Sequence, residues 1–125
     1  MIIRAFEERD IRQVRDIHEQ FYSKEFELPD FTRNHICAFS VVDNERLIIA
    51  GGVRAIAEIV LVTDKNAGKK ARVEAFDKAL DVSKYLTRKA EFSQLHAFVQ
   101  DNHLKRIIEK IGFKHCRGDA FFLNV

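Results

Sequence analysis

Apolar positions recur along this chain with two different periods, and the places where the period changes mark the elements. Residues 2–6 (IIRAF) form a short apolar run suited to a strand. The spacing then lengthens, and Ile11, Val14, Ile17 and Phe21 fall on one face of a helix with charges opposite. Segment 25–35 breaks that period, contains Pro29 and reads as a loop or irregular crossing. Residues 36–42 (ICAFSVV) are strand-like, and Asp43-Asn44-Glu45-Arg46 is a turn into a second apolar run at 47–53. Gly51-Gly52 inside that run predicts a bulge or a close backbone approach.

Residues 56–63 (IAEIVLVT) make a further strand rich in β-branched side chains. Beyond Asp64 the period returns to 3.6, with Ala71, Ala75, Phe76, Ala79, Leu80, Ser83 and Leu86 on one face of a long helix over 67–90. Residues 94–100 (QLHAFVQ) form a strand, and Asp101-Asn102 can cap a helix bearing Leu104, Ile107, Ile108 and Ile111. Gly112 stops that helix, and two short strands around 113–117 and 120–124 close the chain. Strands 56–63 and 94–100, joined by a long helix, are expected to be parallel neighbours with a right-handed crossover. The expected class is an α/β domain with a mixed sheet.

Composition narrows this picture modestly. A chain of 125 residues that is 46% hydrophobic suits one domain, 1–125, with a core of its own. Eleven Phe and no Trp favour apolar packing over polar surface recognition. No apolar run approaches the ~18 residues of a membrane span. The opening MIIRAFEERD lacks a secretion signal's layout, so the expected location is cytoplasmic. Cys37 and Cys116 are too few for a disulfide framework or a zinc site and read as reduced thiols. A net charge of +2 gives no global sign of nucleic-acid binding.

The local charge is more informative. Lys65, Lys69, Lys70 and Arg72 crowd the start of the long helix. Cations there are unfavourable by about 0.3–1 kcal/mol each, because the helix start is itself electropositive. A bound polyanion would compensate, since free N–H groups and basic side chains then converge on phosphate oxygens. The competing reading is a solvated basic face with Lys70 paired to Glu74. Glu58, mid-strand between Ala57 and Ile59, is a candidate general base, because partial desolvation would raise its pKa. Its alternative is an ion pair with Arg54. His96 reads as a hydrogen-bonded core or edge histidine, His103 as solvated, Tyr85 as a packing or surface residue and Cys116 as a small hydrophobe.

Three stretches carry a resemblance to a known family. These are the opening IIRAFEERDIRQVRDI, the middle EIVLVTDKNAGKKARVEAFDKAL and the tail VQDNHLKRIIEKIGFKHC with Asn102, Gly112 and Phe113. Together they resemble the GNAT superfamily of N-acetyltransferases over essentially the whole chain. That resemblance implies a mixed, partly splayed sheet of about six to seven strands with helices on both faces. It further implies acetyl transfer from acetyl-CoA to a primary amine.

Under that resemblance the thioester lies beside the 56–63 strand, with Leu61 and Val62, and Glu58 is the base. The pyrophosphate rests on Lys65, Asn66, Ala67, Gly68, Lys69 and Lys70, and the pantetheine arm passes near Asn102. The amine would enter past 25–35, where Glu25, Glu27 and Asp30 supply negative charge. No metal, nucleic acid or membrane is implied, and a homodimer stays open. The sequence departs from the family at two places. The phosphate loop keeps only Gly68, with Lys70 or both Lys70 and Arg72 where the family has small residues, depending on register. Ile108 stands where a Tyr often protonates the departing thiolate. A catalytically inactive binding or assembly module is therefore the alternative. Nucleic-acid binding fits less well, because the basic patch is short and lacks interleaved aromatics.

Overall fold

A computed structural model describes residues 1–116 and 118–125. Strand β1 (Ile2–Ala5) leads through a 3₁₀ turn (Glu8–Asp10) into helix α1 (Ile11–Phe21). Strands β2 (His35–Asp43) and β3 (Arg46–Arg54) follow, then the short strand β4 (Ala57–Glu58) and the long helix α2 (Lys69–Lys89). Strand β5 (Leu95–His96) and helix α3 (Asn102–Lys110) complete the described elements. The class is mixed α/β, as the sequence pattern implies.

The strands form two separate sheets, β1-β2-β3 and β4-β5, in place of one sheet of six or seven strands. The first is antiparallel throughout, with Ile2 opposite Val42 and Cys37 opposite Val53. The second is parallel, Ala57 beside Leu95 and Glu58 beside His96, as expected for strands joined by a helix. Pairing there is far shorter than the apolar runs 56–63 and 94–100. The expected strand 120–124 does not form, nor do residues 113–116 of the strand expected at 113–117, whose Arg117 lies outside the described residues.

Local chemistry explains the hairpin between β2 and β3. Asn44 and Glu45 both take positive φ, 47° and 66°, as a two-residue turn matched to strand twist requires. Gln13 of α1 braces the turn, accepting a hydrogen bond from the Leu47 N–H at 2.9 Å and donating to the Glu45 carbonyl. Gly51 and Gly52 pair regularly, while the register shifts fall at His35/Cys37 and Val41/Val42. The glycines mark a close approach: a Cβ on Gly52 would lie 2.6 Å from the Cys37 carbonyl oxygen.

Helix faces differ in detail from the periodic reading. On α1, Ile11, Val14 and Ile17 turn inward, but Phe21 is exposed. On α2 the inward stripe runs through Arg72, Phe76, Ala79, Leu80, Ser83 and Thr87, leaving Ala71, Ala75 and Leu86 exposed. On α3, Leu104 and Ile108 are half-buried while Ile107 and Ile111 are exposed. The end of α3 is tightly specified. Gly112 has φ 104°, the Phe113 N–H donates to the Ile108 carbonyl, and the Gly112 N–H donates to that of Glu109.

The buried polar residues lie under the first sheet. Asp10 and Ser40 are almost wholly buried. Arg4 grips Asp10 with two parallel hydrogen bonds of 2.6 and 2.7 Å, and the Glu7 N–H and Ser40 hydroxyl donate to the same carboxylate. This clamp ties β1, the 3₁₀ turn and β2 together, with Val42 and Leu47 buried on the same side of the sheet. No helix among the described residues is long and apolar enough to cross a membrane.

Candidate functional site

The parallel pair β4–β5 and the start of α2 hold the residues to which the sequence assigns chemistry. Pairing between the strands ends with the Ile59 N–H donating to the His96 carbonyl at 2.9 Å. Beyond that bond, residues 60–63 and 97–100 make no backbone hydrogen bonds among the described residues. The N–H and C=O groups of 60–63 are thus without a backbone partner among the described residues. Val60, Leu61 and Val62 are exposed there, Val62 completely.

Helix α2 begins without a capping side chain. Gly68 is the N-cap, no acid occupies the first turn, and no side chain hydrogen-bonds to this start of the helix. The Arg72 N–H reaches the Gly68 carbonyl, but the N–H groups of Lys69, Lys70 and Ala71 have no partner among the described residues. A Cβ on Gly68 would meet nothing within 4 Å, so the approach to these donors is open. Asp64 organises the preceding loop, accepting from the Asn66 N–H at 2.9 Å. Lys65, Asn66, Lys69 and Lys70 are exposed, and Ala67 is half-buried. Glu74 pairs with Lys78 at 3.6 Å, not with Lys70 as the solvated-face reading requires.

Glu58 differs from expectation. It is exposed, so the partial burial predicted from its apolar neighbours is absent. Nor does it pair with Arg54 among the described residues. The reason is the shortness of β4, whose two residues have a strand on one side only. His96 sits directly across from it on β5, half-buried, and its Nδ1 is enclosed with no hydrogen-bond partner. The expected hydrogen-bonded histidine is thus only half right. Arg72 Nε, on α2, is likewise enclosed and unpartnered. Helix α2 packs on β5.

The remaining candidates are placed as follows. Asn102 opens α3 and is exposed, while Asp101 is the cap, accepting from the His103 N–H at 3.0 Å. His103 and Tyr85 are exposed as read. Cys37 and Cys116 are free and exposed, so the thiol read as a small hydrophobe at Cys116 faces outward. In segment 25–35 the Asp30 carboxylate is taken up by Thr32, whose hydroxyl and N–H both donate to it and hold it below the usual carboxylate range. Leu28, Pro29 and Phe31 cover Phe6, Ile11 and Val14 around a small cleft of about 210 Å³.

Sequence reasoning missed the Arg4–Asp10–Ser40 clamp as a unit. Its signal was available, because Ser40 is a lone hydroxyl inside the run ICAFSVV and needs a buried partner.

No family model matches the chain, and no curated protein matches it. Among solved structures, an aminoglycoside N-acetyltransferase in complex with CoA aligns over 99% of this chain and 99% of its own, at 12% identity and a TM-score of 0.39. That score is too low for the likeness to bear on fold or function.

Proposed function

We propose that this chain is an acetyl-CoA-dependent N-acetyltransferase of the GNAT type acting on a primary amine. The observation that carries the reading is a backbone stretch at 60–63 without hydrogen-bond partners among the described residues, followed closely by a basic helix start at 68–70 that no side chain caps. A thioester with an anionic tail asks for both: backbone N–H groups beside its carbonyl, and free N–H groups with cations around its phosphates. The three sequence stretches that resemble the superfamily support the same placement.

In this reading Lys65, Asn66, Ala67, Gly68, Lys69 and Lys70 hold the pyrophosphate, Leu61 and Val62 flank the thioester, and Asn102 lies along the pantetheine arm. Acetyl-CoA supplies an activated acetyl group. The protein's own part is to orient it and to take the ammonium proton of the acceptor at a Glu58 carboxylate oxygen. Glu58 is exposed in the free chain, and a bound acceptor would exclude water from it. The cytoplasmic location and the single domain belong to the same proposal.

A second reading keeps the architecture and drops the chemistry, giving a binding or assembly module. The cationic side chains in place of loop glycines and Ile108 in place of a Tyr favour it.

Titration with acetyl-CoA separates the two by thermal shift. A binder's midpoint rises with ligand, reaching about 2.7 kcal/mol of stabilisation at a hundredfold excess over the dissociation constant. No shift at millimolar acetyl-CoA would leave only the inactive module. Lys70→Glu is expected to weaken binding about tenfold, because it removes one cation and adds an anion beside the helix start. Unchanged affinity would remove the phosphates from this site.

If turnover is found, Glu58→Gln should lower kcat about a hundredfold with cofactor affinity retained. Rates equal to those of the parent would take Glu58 out of the proton transfer.

A further inference from the structure

Helix α1 reaches β2 through residues 22–34, a loop with no strand or helix of its own. Loops of that length inside a compact domain commonly carry a binding function. This one is folded against the protein. His18 Nε2 donates to the Phe26 carbonyl at 2.6 Å, the Tyr22 and Phe26 rings lie 5.2 Å apart, and Phe31 packs between Phe6 and His35 at 5.0 and 5.5 Å. The cleft beneath it has apolar walls, Phe6, Ile11, Val14, Leu28, Pro29 and Phe31, all half-buried. Its two polar members, Asp30 and Thr32, are exposed and so stand at the mouth. Both Thr32 donors go to Asp30 Oδ1, and Oδ2 has no partner among the described residues. The carboxylate is thus oriented through one oxygen and open at the other.

We propose that this cleft binds a small ring-bearing amine, a single six-membered ring seated among the apolar walls with its ammonium on Asp30 Oδ2. Size sets the ring. An apolar cavity of about 150 Å³ holds benzene, and drug-sized ligands need about 300–1,000 Å³. A cleft of about 210 Å³ therefore takes one ring with a short tail and has no room for a second ring. Charge sets the head group. An ammonium donates a charge-assisted hydrogen bond to the open oxygen, whereas a carboxylate would meet a like charge there. Arg33 and the His35 ring are the other titrating groups beside Asp30, and they act on it less than the Thr32 hydrogen bonds, which keep it ionised. Because Thr32 holds the carboxylate in place beforehand, little side-chain freedom is lost on binding. Glu58 and the start of α2 take no part and no acetyl group is needed, so the inference stands or falls apart from acetyl transfer.

Titrating the full isotope-labelled chain with benzylamine, without acetyl-CoA, tests it through amide chemical shifts. Saturable shifts are expected around Val14, Asp30 and Phe31. Benzyl alcohol, which keeps the ring and loses the charge, should bind about tenfold more weakly, and phenylacetate more weakly still. A naphthyl analogue of benzylamine should give no saturable shift at these residues. Asp30→Asn, which keeps an oxygen for Thr32 and removes the charge, should weaken benzylamine about tenfold. If that variant fails to fold, the comparison of ligands on the unaltered chain decides the matter. Absence of saturation overturns the inference, and so do shifts centred elsewhere. Benzyl alcohol binding as tightly as benzylamine would remove Asp30 from the site, and a naphthyl analogue binding equally well would remove the cleft.

Discussion

Replacing Asp10 by Ala is expected to lower the melting midpoint by roughly 10 °C, the loss of about 3 kcal/mol spread over a chain of this size. The carboxylate accepts from both Arg4 guanidinium nitrogens, the Glu7 N–H and the Ser40 hydroxyl. Removing it leaves a mostly enclosed cation and two further donors without a partner, and breaking a buried pair costs more than the pair itself contributes.

The Arg4 hydrogen bond holds the Asp10 carboxyl well below the ordinary carboxylate range. The Glu7 N–H and Ser40 hydroxyl add to this, against the opposing effect of burial. The folded chain therefore binds this proton less readily than the unfolded chain. Stabilisation from Asp10 is complete above the unfolded value near ~3.9 and is lost as pH falls below about 4. Urea midpoints measured from neutral to acid pH should show that loss in the parent and lack this contribution in Asp10→Asn. Parallel pH curves would mean that the clamp does not hold the carboxylate charged.

Gly52→Ala is the second large effect expected. A Cβ at this position would stand 2.6 Å from the Cys37 carbonyl oxygen and 2.8 Å from the His35 ring. A ring can turn aside, but a carbonyl inside a strand ladder moves only with its strand. Overpacking of this kind costs about 1–3 kcal/mol, and the backbone contact places this case at the upper end. Gly68→Ala is the internal control, because its Cβ would meet nothing within 4 Å. Chemical denaturation of the two variants should therefore give a marked drop in midpoint for the first and a small change for the second. Equal drops would show that lost glycine flexibility, not the close approach, sets the cost.

Elements with a strong local signal were readable in advance. Asp101 caps α3, and Gly112 with Phe113 closes it, since both depend on side chains within one turn of the helix. The hairpin turn at Asn44-Glu45 and the parallel relation of the two later strands also follow from the sequence. Long-range partners were not readable. Glu58 stands in an apolar run, yet its exposure depends on whether a strand lies on each side, and β4 has only one neighbour. Leu86 keeps the helical spacing of a buried residue but is exposed, because burial along α2 follows what packs against it. Of the candidate site, the bare basic helix start was foreseeable from Gly68, Lys69 and Lys70. The proximity of His96 to Glu58 needed the strand register.

The brevity of the β4–β5 pairing has a kinetic consequence. The β2–β3 hairpin closes across two residues, whereas Glu58 meets His96 only after the whole of α2 has been crossed. Contacts of long sequence separation form late, and with so few bonds this pair should also be the first to come apart during native-state fluctuations. A molecule gripping the chain beside β4 would then act as a brake on opening while leaving the speed of collapse untouched. Its dwell time on the protein and the lifetime of the fold would become two readings of a single event.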